Sequence, residues 1–167
     1  ADDYAPLEAM WLGVFNGTLD QATYKDLRND GEQLHQGKID WAGVTDKYWL
    51  TALIPDSSEK YSSRMQFLRQ GQGAETTGIY QTDMRGEAVT IAPGESLSLT
   101  HRLFTGAKVV KLLDQYRAEY DITLFDRAVD FGMLYFLTKP IFTLLDFLFG
   151  IVGNFGVAIL LLTVFIK

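Results

Sequence analysis

Five polar side chains stand out because of the apolar sequence around them. After Asp130 the only charged side chains are Lys139, Asp146 and Lys167. A charge isolated in such sequence is costly unless it faces water or protein, so each is a candidate for function. Lys139, Thr143, Asp146 and Gly150 are spaced four, three and four apart. That spacing puts them on one narrow stripe of a helix. Thr163 and Lys167 are four apart and share a helix face in the same way. Together they would make a hydrophilic strip on an otherwise lipid-like helix. The plainer alternatives are that Lys167 ends a span on its cytoplasmic side, and that Asp146 marks a water-facing stripe, pairs with Lys139 or pairs with a residue outside this sequence.

Other chemistry is poorly represented. There is no cysteine, which excludes disulfides, thiolate metal sites and cysteine nucleophiles. His35 and His101 are far apart, and no His or carboxylate cluster has metal-ligand spacing. His101 falls at an inward slot of the Leu97, Leu99, Leu103 alternation, which suits a packed histidine better than a catalytic one. Gly71-Gln72-Gly73 is too short for a phosphate loop, and no G-x-S-x-G elbow occurs. Trp11, Trp41, Tyr48 and Trp49 could line a sugar cleft, but in a β-sandwich such aromatics are more often core. The residues therefore point to no catalytic site, metal or cofactor.

The elements that must position the polar stripe follow from periodicity. Trp11, Leu12, Val14 and Phe15 form an apolar cluster before an Asn16-Gly17 turn signal. Asp20 to Leu34 reads as a short helix or loop anchored by Tyr24, Leu27 and Leu34. Tyr61, Ser63, Met65 and Phe67 alternate with more polar neighbours, as in a half-buried strand. Further strands are expected at Thr76–Gln81 and Glu87–Ala92, and around Leu97, Leu99 and Leu103. Turns are expected at Gly71–Gly73, Met84–Gly86 and Pro93-Gly94. This spacing suggests an antiparallel β-sandwich. Residues 106–120 change to helical period, and Ile122 to Phe125 read as briefly extended. Thr138-Lys139-Pro140 makes a helix start, with proline in the first turn. The helix that follows is apolar almost all round and suits a membrane interface, its polar stripe towards water. Gly153 to Gly156 interrupts it. The run Gly156–Ile166 is 11 residues, about 16 Å of helix at 1.5 Å per residue. A full span needs about 20 residues, so the run reads as the start of a transmembrane helix.

Bulk properties agree with a split chain. The 167 residues have mean hydropathy +0.01 and net charge −6. An acidic chain repels phosphate backbones, which argues against nucleic acid as a partner. The polar start ADDYAPLEAM carries no leader, and both ends are abrupt, as expected of a segment of a longer chain.

Asp130 to Lys167 resembles the YidC/Oxa insertase family. It has the family's aromatic F-G-x-L-x-F segment (Phe131 to Phe136) and a Pro140-containing amphipathic helix. The Gly153-Asn154-Phe155-Gly156 turn follows, and then an aliphatic run closing in Thr163, three apolar residues and Lys167. Asp46-Lys47-Tyr48-Trp49 to Ile54-Pro55, and Pro93-Gly94 to Lys108 with Leu112 and Leu113, resemble further family segments. The resemblance implies a periplasmic β-supersandwich, related to sugar-mutarotase folds, over residues 1–130. It implies an interfacial amphipathic helix over 131–153 and a truncated transmembrane helix over 154–167. The N-terminal anchor, the first part of the sandwich and most of the membrane core would lie elsewhere.

By the same resemblance the function is that of an insertase and chaperone for inner-membrane proteins, not an enzyme. It would work alone or with the Sec translocon and its accessory proteins, through a hydrophilic groove open to lipid and cytoplasm. Its partners would be the lipid bilayer and nascent membrane proteins, and its place the bacterial inner membrane, multi-pass. Lys167, with Thr163, would line the groove. Many family members carry Arg there; Lys keeps the charge and loses the bidentate fork. The alternative from another class is a soluble carbohydrate-binding or mutarotase-like β-sandwich, whose apolar C-terminal stretch is core and whose cleft holds a carboxylate–His pair.

Overall fold

The computed structural model describes residues 10–56, 60–70, 77–130 and 135–166. The chain forms two compact units, Ala1–Val129 and Asp130–Lys167. The first is mainly antiparallel β-structure with two sheets, as the strand periodicity leads one to expect.

Five strands make the larger sheet: β1 (Met10–Phe15), β2 (Thr18–Thr23), β4 (Ile39–Thr45), β5 (Trp49–Ile54) and β8 (Arg102–Ala107). Their order is β2-β1-β4-β5-β8, every neighbour antiparallel. Three strands make the smaller sheet: β3 (Gln33–Gly37), β6 (Tyr61–Gln70) and β7 (Thr77–Gly86), in the order β3-β6-β7. The β1–β2 hairpin turns at Asn16 and Gly17, with φ of +51° and +78°. Two consecutive positive φ values suit the right-handed strand twist, and Asn-Gly is the pair that adopts them at least cost.

Alternation along β1 and β4 sends side chains to both faces of the larger sheet. Leu12, Val14, Trp41, Leu50, Ala52 and Ile54 face a helical layer, where they bury Leu113, Ile122, Phe125 and Ala128. That layer is α2 (Val110–Glu119) and a 3-10 turn at Phe125–Ala128. The Trp41 indole N–H donates to the Thr123 carbonyl at 2.9 Å, and its ring meets Phe125 edge-on. Arg117 reaches the buried Asp126 carboxylate at 3.6 Å, tying helix to turn. The opposite face carries Trp11, Phe15, Ile39 and Ala42, packed against Tyr61 and Met65 of the smaller sheet. Leu27 of the short helix α1 (Tyr24–Asp30) closes that core. Thr23 and Asp26 cap α1 reciprocally: the Asp26 N–H donates to the Thr23 hydroxyl at 3.1 Å, and the Thr23 N–H donates to the Asp26 carboxylate at 3.0 Å.

Several local expectations are corrected. Asp20 to Leu34 is not one helix or loop but the end of β2, then α1, then the start of β3, and Leu34 is exposed. Met84 to Gly86 continue β7 instead of turning, held by pairing to Ser63, Ser62 and Tyr61. Glu87–Ala92 is no strand, and the strand near Leu103 begins only at Arg102; residues 87–101 are exposed throughout. His101 is therefore not inward-facing; its ring accepts the Asp56 N–H at 3.2 Å. The helix expected from residue 106 begins at Val110, because 106 and 107 still pair with Leu50 and Trp49. Leu124 turns with φ +54° into the 3-10 turn, so Ile122 to Phe125 is not simply extended. Trp11 and Trp41 are core, whereas Tyr48 and Trp49 are exposed at the β4–β5 connection. The Gly71–Gly73 turn lies outside the described residues.

The second unit contains α3 (Tyr135–Val152) and α4 (Phe155–Ile166), two helices packed side by side. Pro140 is not in the first turn of α3 but inside the helix.

Candidate functional site: an apolar helical hairpin with one polar stripe

The joint between α3 and α4 is built from two residues whose chemistry suits it. Gly153 adopts φ +66° and its N–H donates to the Phe149 carbonyl at 2.8 Å, a left-handed helix ending that glycine makes at least cost. Asn154 then caps α4, its side-chain oxygen accepting the Gly156 and Val157 N–H groups at 2.9 and 3.3 Å. The helices meet through Leu148, Ala158 and Leu162, with Ile141, Leu145, Phe149 and Val152 around them.

At 100° per residue, Ile141, Leu145, Leu148 and Val152 lie on the side of α3 roughly opposite Lys139, Thr143, Asp146 and Gly150. The polar stripe thus faces away from α4. What lies between is apolar and uncovered within the hairpin. Phe136 is 74% exposed, Phe147 63% and Ile151 67%; on α4, Leu160 is 68% and Val164 76% exposed. Phe136, Lys139, Pro140, Thr143, Leu144 and Phe147 line a shallow groove of about 610 Å³ along α3. Lys139 and Asp146 are half-buried.

The hydroxyls are not idle donors. Thr143 donates to the Lys139 carbonyl at 2.9 Å, and Thr163 to the Ile159 carbonyl at 2.8 Å. Such back-bonding satisfies a hydroxyl within its own helix, so neither threonine needs water or a partner to be tolerated in an apolar setting. Thr163 is exposed on α4. Lys167 lies outside the described residues, so its relation to Thr163 rests on sequence spacing alone.

Burying a large apolar side chain gains about 1.5–3 kcal/mol. Half a dozen such side chains outweigh the ~2.5–3.5 kcal/mol that a charge at mid-bilayer costs. A hairpin lying with Lys139 and Asp146 at the surface would avoid most of that cost. Among the described residues no helix is long and apolar enough to cross a membrane. The 12 residues of α4 reach about 18 Å, against a hydrocarbon core of ~30 Å.

The family model for the YidC periplasmic domain matches residues 8–144. The chain belongs to the YidC family. A membrane protein insertase YidC of Rickettsia massiliae (strain Mtu5) is 48% identical over 158 residues, which are 93% of this chain and 27% of that protein. That of Rickettsia prowazekii (strain Madrid E) is 47% identical over 158 residues, with the same coverage. That of Rickettsia rickettsii (strain Sheila Smith) is 46% identical over 157, again 93% and 27%. The chain thus spans about a quarter of the length of these YidC relatives. The YidC match continues through the first turns of α3, beyond the end of the β-unit.

The β-unit does bring one histidine to a carboxylate, which the sequence did not foretell. His35 Nε2 lies 3.5 Å from Asp20 Oδ2. The ring, however, stacks flat on Phe15 at 3.9 Å and near Trp11 at 5.2 Å, which is packing geometry. Burial pushes the His35 imidazole below its usual range, and Asp20 offsets this only in part. Among the described residues no three His or carboxylate side chains gather as a metal site would require. Phe136, Phe147 and Ile151 are exposed, in keeping with the nearly all-round apolar surface expected of this helix.

Proposed function

We propose that this chain is the part of a membrane-protein insertase that joins a periplasmic β-sandwich, residues 1–130, to a membrane-entering hairpin. The observation that carries the reading is the exterior of α3 and α4: apolar on most sides, with one stripe of Lys139, Thr143 and Asp146. Residues 131–153 lie in the outer interface of the bacterial inner membrane with that stripe towards water. Residues 154–167 begin a transmembrane helix that the rest of a multi-pass polypeptide completes. Thr163 and Lys167 form one wall of a hydrophilic groove through which polar parts of nascent membrane proteins pass. The Sec translocon is a partner on the same reading.

Liposome flotation tests it. The full chain should float with vesicles, and a chain ending at Val129 should stay in the soluble fraction. If both remain soluble monomers, the hairpin is not a membrane element and the groove role of Lys167 falls with it.

A further inference from the structure

Lys139 and Asp146 are opposite charges on one face of α3. At 100° per residue, Asp146 lies within about 20° of Lys139 around the helix. Helix side chains pair at three and four residues, whereas these two are seven apart. Seven residues are about 10 Å of helix at 1.5 Å per residue. Thr143 stands between the two charges, and its hydroxyl proton is committed to the Lys139 carbonyl at 2.9 Å. Gly150, one turn beyond Asp146, keeps the stripe open. Among the described residues, nothing outside its own turn lies within 4 Å of where a Cβ would stand.

An apolar strip runs beside the charged one. Phe136, Phe147, Pro140 and Leu144 lie about 60° to 140° around the helix from Lys139. With Lys139 and Thr143 they line the shallow groove of about 610 Å³. The face thus offers a cation, then an anion about two turns further on, with a hydrocarbon-seeking border along both. Two charge-assisted hydrogen bonds of about 2.8 Å each, taken from the ~10 Å between the charges, leave about 5 Å to be bridged. A short zwitterion fits that gap: a phosphate joined to a primary ammonium through two carbons.

We propose that this stripe seats the head of a phosphatidylethanolamine. The phosphate meets Lys139, the ammonium donates to Asp146, and the hydrocarbon lies on the Phe136–Phe147 strip. The inference rests on the membrane reading above and names the lipid that α3 selects. Charge complementarity favours this occupant. The stripe carries one charge of each sign, so an anionic head would gain Lys139 and be repelled by Asp146. A choline head has the right charges but no N–H for the Asp146 carboxylate to accept.

Partition of the full chain into vesicles tests the proposal. Phosphatidylcholine vesicles free of anionic lipid are compared with vesicles in which phosphatidylethanolamine replaces part of the phosphatidylcholine. The chain should bind the ethanolamine vesicles at least ~5-fold more tightly, as one charge-assisted hydrogen bond supplies. Ethanolamine lipids also loosen headgroup packing, so the decision falls to the variants. Asp146→Asn should lower the ratio of the two affinities about 5-fold, and Asp146→Glu should retain it. Lys139→Gln should weaken binding to both vesicles, since both present phosphate, and Lys139→Arg should not. An affinity ratio unchanged in Asp146→Asn would overturn the proposal, because packing alone would then explain the preference. So would tighter binding to phosphatidylglycerol than to either zwitterionic lipid, which would make an anionic head the occupant. Binding without preference strikes the choice of lipid alone, whereas no binding to any vesicle strikes the membrane reading as well.

Discussion

At the residue scale, His35 shows how a packed titratable group writes itself into stability. Its ring is held between Asp20 and the Phe15–Trp11 stack, and burial, the larger influence, lowers its pKa. The unfolded chain therefore takes up a proton near pH 6.5 that the folded chain accepts only at lower pH. Wherever the unfolded state binds more protons, stability rises with pH. The β-unit should thus lose stability as pH falls from about 7.5 through 6.5, the loss ending once pH passes below the folded pKa. His35→Phe keeps the aromatic stack and removes the titration, so its urea midpoint should change less over that interval. A midpoint that falls as steeply in the variant as in the parent would show that the dependence arises elsewhere.

At the scale of elements, legibility followed how much each element depended on distant partners. The Asn16-Gly17 turn and the Gly153 to Gly156 break were readable because each is fixed by local backbone chemistry, and the alternation from Tyr61 because β6 has β3 and β7 on either side to make it a strand. The stripe of Lys139, Thr143 and Asp146 was readable as well, since spacing alone sets a helix face. The strand expected at Glu87–Ala92 failed for the opposite reason. Its alternation is real, but strand structure needs a neighbour, and none is described beside it. Leu124 in a left-handed conformation, and the 3-10 turn that follows, are imposed by packing onto Trp41 and left no trace in periodicity. The hairpin joint gives the element-scale prediction. Asn154→Ala removes a cap worth about 1 kcal/mol, so amides 156 and 157 should exchange roughly 5-fold faster, by the ~1.4 kcal/mol per tenfold relation. Asn154→Asp should restore protection, because its carboxylate accepts the same bonds. Unchanged exchange in the alanine variant would mean that packing of Ala158 and Leu162, not the cap, sets where α4 begins.

At the scale of the whole molecule, a mean hydropathy of +0.01 is an average over two unlike pieces. Among the described residues, both β-unit cores draw on residues before 130, and the third core on residues after it. Each piece thus has its own reason to be ordered: sheet and helix layers in one, helix against helix in the other. The chain's three tryptophans are Trp11, Trp41 and Trp49, so intrinsic fluorescence reports on the β-unit alone. Urea unfolding followed by tryptophan emission should therefore give one transition for the full chain in mild detergent. A chain ending at Val129, in the same detergent, should give a transition within about 0.5 kcal/mol of it, as independent cooperative units do. A midpoint that drops well beyond that on removal of the hairpin would mean that the β-unit borrows stability from residues 130–167. The hairpin would then be a structural support of the sandwich.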